Sequence, residues 1–219
     1  LLERSLLWFA STERLTRLVR VEGDLHFAER SEAPVMWLLP HFVGLEWVGP
    51  GLGLQQSKSA VDVYTPQSNP VFDHRFLASR QRFGKNAFVK RDDGIRAVMR
   101  LIRQGYGFLN APDMDFGPKD SAFLPFFGVP TCTLLAPGRL ARTMNMAMQT
   151  AVLEMLPGSA GYVVHLGPAP QGCPSDDAQA DALRINQWLE TQVLRFPAQY
   201  LWVHKRFKTR PPGEASLYT

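Results

Sequence analysis

Apolar positions fall into short unbroken runs separated by amphipathic stretches, and that alternation predicts the class of fold. Pro34 introduces Val35-Met36-Trp37-Leu38-Leu39, a run with no polar position, as a strand buried on both faces requires. Pro40-His41 closes it, and the pattern over 42–48 predicts a helix ending in a loop at Gly49-Pro50-Gly51-Leu52-Gly53. A second strand is expected over 60–64. Asn69-Pro70 reads as an N-cap with Pro at the first helical position, and Phe72, Phe76 and Leu77 supply the inward stripe. A strand over 86–89 leads into Lys90-Arg91. Asp92-Asp93 then cap a helix whose Ile95, Val98, Met99 and Ile102 recur at i, i+3, i+4 and i+7, with Gly105 ending it. The apolar run over 106–111 stops at Pro112-Asp113. A helix over 134–143, strands over 147–156 and 161–166, and a last helix from Asp176 follow. That helix turns Ala182, Ile185, Leu189, Val193 and Phe196 inward, with Asp176 and Asp177 at its positive end.

Strands alternating with helices in this way predict an α/β fold: a single domain with a mostly parallel central sheet flanked by helices. There is no internal repeat and no dividing linker, so the domain is expected over 1–212, with a flexible tail over 213–219. The length of 219 residues suits one such domain. With 45% hydrophobic and 20% charged residues the composition excludes a disordered chain. Two cysteines, Cys132 and Cys173, cannot make a disulfide framework, and a reducing compartment is the default. No run of 18 apolar residues is present, so these residues supply no spanning helix.

In an open parallel sheet, ligands bind beyond the carboxyl ends of the strands. Pro40-His41, Lys90-Arg91 and Asp113-Met114-Asp115 all follow predicted strands and are expected on one rim. His41 and Glu46 form an H-x4-E pair. Five residues along a helix turn a side chain by roughly 140°, so the two meet only if His41 precedes the helix and Glu46 lies one turn inside it. Glu46 then accepts from one imidazole nitrogen and leaves the other as a base. A surface histidine beside an unrelated acid has the same spacing, and the pair alone leaves both readings open. The glycines over 49–53 look like a phosphate loop but follow a predicted helix rather than a strand, and fail that motif's context. No G-x-S-x-G elbow is present, and Cys132 between two threonines reads as structural.

Larger motifs change the weight of the His-Glu pair. His41-Phe42-Val43-Gly44-Leu45-Glu46, Tyr64-Thr65-Pro66-Gln67-Ser68-Asn69-Pro70, Asp113-Met114-Asp115-Phe116-Gly117-Pro118-Lys119, Phe123-Leu124-Pro125-Phe126-Phe127-Gly128 and Trp202-Val203-His204-Lys205-Arg206-Phe207-Lys208-Thr209-Arg210-Pro211 occur in that order. Together they resemble the late acyltransferases of lipid A biosynthesis, the lauroyl and myristoyl transferases, which are lysophospholipid acyltransferase-like. The resemblance implies a glycerolipid acyltransferase-like fold. It also implies transfer of a fatty acyl chain from an acyl carrier protein thioester to a hydroxyl of a lipid A precursor, at the cytoplasmic face of the inner membrane. His41 would be the general base and Glu46 its partner. No cofactor is expected. A hydrophobic N-terminal anchor, usual in the family, is expected ahead of Leu1. The cluster of Leu1, Leu2, Leu6, Leu7, Trp8 and Phe9 suits either an amphipathic helix on a membrane or packing on the domain.

The remaining candidates concern substrate binding. Arg91 follows a strand where related glycerolipid acyltransferases keep a phosphate-binding arginine, and a solvated helix-start charge is its alternative. Asp113 and Asp115 order the site or cap a loop; as a metal pair they lack a third ligand, and no metal is expected. Lys119, after the Gly117-Pro118 turn, is a candidate phosphate contact. Lys205 and Arg206 belong to a cationic run with no acid between Arg195 and Arg210, on a chain of formal net charge +4. Such a run suits a phosphorylated lipid, an anionic inner-membrane surface or the acidic carrier protein, and no nucleic-acid motif accompanies it. The rivals are an acyltransferase of the same fold acting on a lysophospholipid or amino-acid lipid, a non-catalytic lipid- or carrier-binding module, and a thioesterase.

Overall fold

A strand without polar positions has to be covered on both sides, and the run from Val35 is the middle of the fold. The computed structural model describes the backbone of residues 2–218 and the side chains from Ser5 to Tyr218, so Leu1 and the side chain of Leu2 lie outside the described residues. The elements begin with α1 (Leu2–Phe9), α2 (Thr12–Leu18), β1 (Val19–Glu22), α3 (Phe27–Arg30), β2 (Val35–Leu38) and α4 (Val48–Gly53). They continue through β3 (Ala60–Tyr64), α5 (Pro70–Arg80), β4 (Ala87–Lys90), α6 (Ile95–Arg103) and β5 (Gly107–Asn110). The hairpin β6 (Ser121–Phe126) and β7 (Val129–Leu134), then α7 (Ala136–Thr143), β8 (Ala147–Met155), β9 (Tyr162–Pro168) and α8 (Ala178–Arg195) complete them.

Seven strands form one sheet in the order β1-β9-β8-β2-β5-β3-β4. All neighbours are parallel except β8 and β9. This is the α/β architecture expected, a mostly parallel sheet flanked by helices. Side chains alternate across β2. Val35, Trp37 and Leu39 enter the layer with Leu15, Val19, Trp47 and Leu52, while Met36 and Leu38 enter the opposite layer with Val98, Ile102, Leu140 and Ile185. Each fully buried side chain of this size contributes about 1.5–3 kcal/mol. In α6, Val98 and Ile102 are buried as the periodicity predicts, but Ile95 at its first turn is 51% exposed. In α8, Ala182, Ile185, Leu189 and Val193 face inward, and the carboxylate of Asp177 caps the helix by accepting from the N–H groups of Gln179 and Ala180.

Two elements differ from the expected pattern for identifiable reasons. The helix expected over 42–48 is a turn and a single 3-10 turn (Leu45–Trp47), and the glycine-rich stretch expected to be a loop is α4 itself. The glycines let α4 sit close on the sheet: a Cβ on Gly51 would lie 2.9 Å from Val164 Cγ2. Packing overrides helix propensity here. The hairpin β6–β7 is marked only by breakers, Pro125, Gly128 and Pro130, and its turn holds Phe127 at φ 50°. Beyond residue 212, the Tyr218 hydroxyl accepts from the N–H of Phe207.

Gly107 starts β5 beside β2, where a Cβ would meet the Trp37 ring at 2.3 Å. Gly107→Ala is expected to lower stability by about 1–3 kcal/mol through overpacking, read as a reduced urea midpoint at unchanged slope.

Candidate active site

Strand register builds the centre of the site. β2 and β5 are adjacent and parallel, with Leu38 opposite Asn110, and the N–H of Leu39 donates to the Asn110 carbonyl. Both chains therefore leave the sheet at the same rim. Three residues beyond Leu38 is His41, and three beyond Asn110 is Asp113. They meet twice: His41 Nδ1 lies 2.7 Å from Asp113 Oδ1, and the backbone N–H of His41 donates to Oδ2 at 2.9 Å. Asp113 is fully buried, while the His41 side chain is 24% exposed.

That pairing corrects the expected partner of the imidazole. The carboxylate on Nδ1 is Asp113. Glu46 instead receives Nε and Nη2 of Arg80 at 2.9 and 2.7 Å, in the two-pronged geometry that suits a guanidinium. Arg80 Nη1 donates to Asp62 at 3.0 Å, and the guanidinium stacks 4.3 Å over the Phe76 ring. Glu46 is displaced from the role because residues 42–47 form a tight turn rather than the helix that brings it under His41.

A cavity of about 340 Å³ opens beside His41, and Glu46, Arg80 and Asp62 also line it. Its remaining wall is largely apolar, with Leu39, Leu45, Phe76, Phe83 and Leu109 among the lining residues.

The electrostatics follow from burial and pairing. Burial pulls the His41 imidazole down, but the hydrogen bond and charge of Asp113, with Asp62 adding, outweigh it and hold the group above its ordinary range. Burial pushes Asp113 up, yet its bonds and charge interaction with His41 leave it below the usual carboxylate range. Asp62 is pushed up to about 6 by burial, with Arg80 opposing and Glu46 reinforcing the rise. His204 lies with its ring centroid 6.2 Å from that of His41. Its Nδ1–H donates to the Leu201 carbonyl, and burial lowers its pKa, so it stands neutral beside the pair.

The other expected site residues separate into two groups. Arg91, Lys119 and Lys205 are exposed near the rim: Arg91 stacks 4.3 Å over Phe116, and the Lys205 ammonium is 5.5 Å from the Tyr218 ring centroid. Asp115 and Arg206 are buried and structural. Asp115 accepts from the N–H groups of Gly117 and Thr209 and from the Thr209 hydroxyl, tying the Asp113–Lys119 loop to the C-terminal segment. It and Asp113 serve different partners and do not form a carboxylate pair for a cation. Arg206, expected to bind substrate, is fully buried, donating to the Cys132 carbonyl, Thr133 Oγ1 and Asn186 Oδ1. It braces the hairpin against α8 because one buried guanidinium reaches acceptors on both elements.

Arg80, Asp62 and His204 were missed as individual residues. His204 stands inside the Trp202–Pro211 motif, whereas Arg80 and Asp62 carry no local sequence signal. They join the site only when β3, paired with β5, and α5 bring them to the cavity beside His41.

His41 is expected to titrate above 6.5, its ordinary value, and to fall in Asp113→Asn, as histidine NMR will measure. Its raised pKa contributes stability that is fully present below the unfolded value and is lost as pH rises through the folded one. Asp113, lowered, contributes stability above the usual carboxylate range and loses it in acid.

The comparisons identify the family. The family model for bacterial lipid A biosynthesis acyltransferase matches residues 1–209. Among curated proteins the chain is 34% identical over 221 residues to the lipid A biosynthesis palmitoleoyltransferase of Escherichia coli K12, covering all of this chain and 71% of that protein. It is 30% identical to that organism's lipid A biosynthesis lauroyltransferase over the same span, again covering 71% of the relative. Over 193 residues it is 33% identical to the myristoyltransferase of the same pathway in that bacterium, covering 86% of this chain and 58% of the relative. With the family model matching residues 1–209 and a relative 34% identical over the whole chain, the chain belongs to the bacterial lipid A biosynthesis acyltransferases.

Proposed function

We propose that the protein moves a fatty acyl chain from an acyl carrier protein thioester to a hydroxyl of a lipid A precursor in a single displacement, with His41 as general base. The observation that carries this is the His41–Asp113 contact at the cavity. With Asp113 ionised, Nδ1 carries the proton donated to it, and Nε2 is left as the basic nitrogen. The acceptor hydroxyl gives its proton to Nε2 as its oxygen attacks the thioester carbonyl. The tetrahedral intermediate then expels the thiolate, which takes that proton back from the imidazolium. Asp113 stays ionised and stabilises the imidazolium throughout. A positioned base of this kind contributes about 10²–10⁴-fold to such a step. Glu46, clamped by Arg80, shapes the cavity wall beside the reacting atoms. This chemistry asks for no metal and no cofactor.

The apolar cavity suits the acyl chain. Exposed Arg91, Lys119 and Lys205 near the rim suit the phosphates of the acceptor or the acidic carrier protein. An anionic inner-membrane surface at its cytoplasmic side is the natural setting, since the acceptor is itself a membrane lipid. One face supports this: Phe9 is 67% and Val71 77% exposed, and Arg75 lies 5.1 Å over the Phe9 ring. α1 packs there on α5, and Leu7 and Phe76 from these helices line the cavity, so its wall adjoins the apolar face. Among the described residues no helix is long and apolar enough to cross a membrane.

Purified protein given acyl carrier protein thioester and a lipid A precursor is expected to form a new ester on the lipid, read by mass. His41→Ala should abolish it, and Asp113→Asn should lower kcat by about 10²–10⁴-fold. Acylation of a lysophospholipid in preference, or full turnover by His41→Ala, would sink the reading.

A further inference from the structure

The cavity that begins at His41 runs back along the sheet, and the strand register fixes where it ends. Side chains on one face of a sheet recur at every second residue. Descending β3 from the rim on the cavity side, Tyr64 is followed by Asp62, which pairs with Leu109 in β5 and Phe88 in β4, and then by Ala60, which pairs with Gly107. Tyr64, Asp62, Leu109 and Phe88 all line the cavity. A strand advances about 3.3 Å per residue, so the steps from Tyr64 down to Ala60 span about 13 Å. Three bonds of an extended saturated chain cover nearly the length of one strand residue, so this depth holds about ten to twelve carbons.

At that depth stands a braced amide. Asn86 lines the cavity, its Oδ1 accepts from the N–H of Ala60 at 3.0 Å, and its Nδ2 donates to the Phe83 carbonyl at 2.7 Å. It thus ties the start of β3 to the turn after α5. The Phe83 carbonyl is itself packed on α4, where a Cβ on Gly53 would lie 2.4 Å from its oxygen. With both hydrogen bonds made, the amide is held across the end of the cavity. Moving it aside leaves two backbone groups unpaired, which costs free energy.

Behind Asn86 the lining changes character. A void of about 10 Å³ shares Gly49, Asn86 and Leu109 with the cavity and is also bordered by Gln56 and Lys58. It is the size of one water. Gln56 Oε1 is buried without a hydrogen-bond partner among the described residues. Methylenes pushed into this region would lie against polar groups and return no hydrogen bond to them.

We propose that Asn86 is a specificity-determining residue that closes the acyl cavity and sets the longest chain the protein accepts. The proposal rests on the acyl-transfer reading above and names the residue that limits the donor in that same cavity. The tail of a fitting chain ends against the amide, and a longer one has to displace it.

The test uses one carrier protein loaded with saturated chains from decanoyl to octadecanoyl, so that carrier docking is common to every donor. In the wild type, kcat/KM is expected to fall by about tenfold or more from the best donor to the next longer one, the scale of methylenes that do not fit a pocket. Asn86→Ala should move the optimum to a longer chain and raise the ratio of the longer to the original donor by about tenfold. Asn86→Ser, smaller than asparagine but with a hydroxyl for the Ala60 N–H, should move it the same way and serves where Asn86→Ala does not fold. Leu109→Phe, one pleat nearer the mouth, should move the optimum to a shorter chain. Circular dichroism confirms that each variant is folded. A wild-type rate that does not fall with length, or an optimum unmoved in the folded variants, overturns the proposal.

Binding of fatty-acid methyl esters of the same lengths, measured by calorimetry, separates this proposal from the reading beneath it. A length limit that moves outward in Asn86→Ala or Asn86→Ser supports the closure even where no thioester is turned over, an outcome that would remove the transferase reading alone. Binding without a length limit, with turnover intact, overturns the closure alone.

Discussion

The pairing of β2 with β5 is the constraint on which the rest depends. Two adjacent parallel strands deliver their following residues to one rim, and equal offsets of three bring His41 and Asp113 into contact. A slip of one residue in that register would turn side chains to opposite faces and separate the pair. Trp37 and Gly107 help to hold the register, because the indole ring occupies the space that only a glycine leaves open. A packing detail in the core thus sets the geometry of the His41–Asp113 pair at the rim.

Two charged assemblies border the cavity, and they differ in kind. His41 and Asp113 form a pair whose titration is pulled apart in both directions by their mutual attraction. Glu46, Arg80 and Asp62 form a wall in which one cation serves both acids and one of them is raised toward neutrality. The first arrangement couples an imidazole to a buried acid. The second fixes the shape of the cavity and the character of what can lie against it. Arg206 is a third use of charge, a cation wholly inside the protein that joins β7 to α8 through neutral oxygens.

Much of this was legible in the sequence, and the gaps have physical causes. The run from Val35 showed a doubly covered strand because burial on two faces leaves no room for polar residues. The stripes of α6 and α8 were equally plain, since Val98, Ile102, Ile185 and Leu189 repeat at helical spacing. The glycines of α4 misled, because their value lies in close approach to Val164, a contact with a residue far along the chain. Asp113 was placed on the correct rim, but which acid takes the imidazole depends on the turn over 42–47, and spacing alone cannot distinguish a turn from a helix. Arg206 looked like a substrate contact because a cationic run carries no mark of which members are buried.

The backbone around His41 is also held from the far end of the chain. The N–H of Val43 donates to the Gln199 carbonyl, the N–H of Leu201 donates to the His41 carbonyl, and the Gln199 side chain anchors this segment to Met155. A polypeptide still emerging from the ribosome has β2 and β5 long before it has residues 199–201. The loop that carries His41 therefore lacks these supports until residues 199–201 have been made.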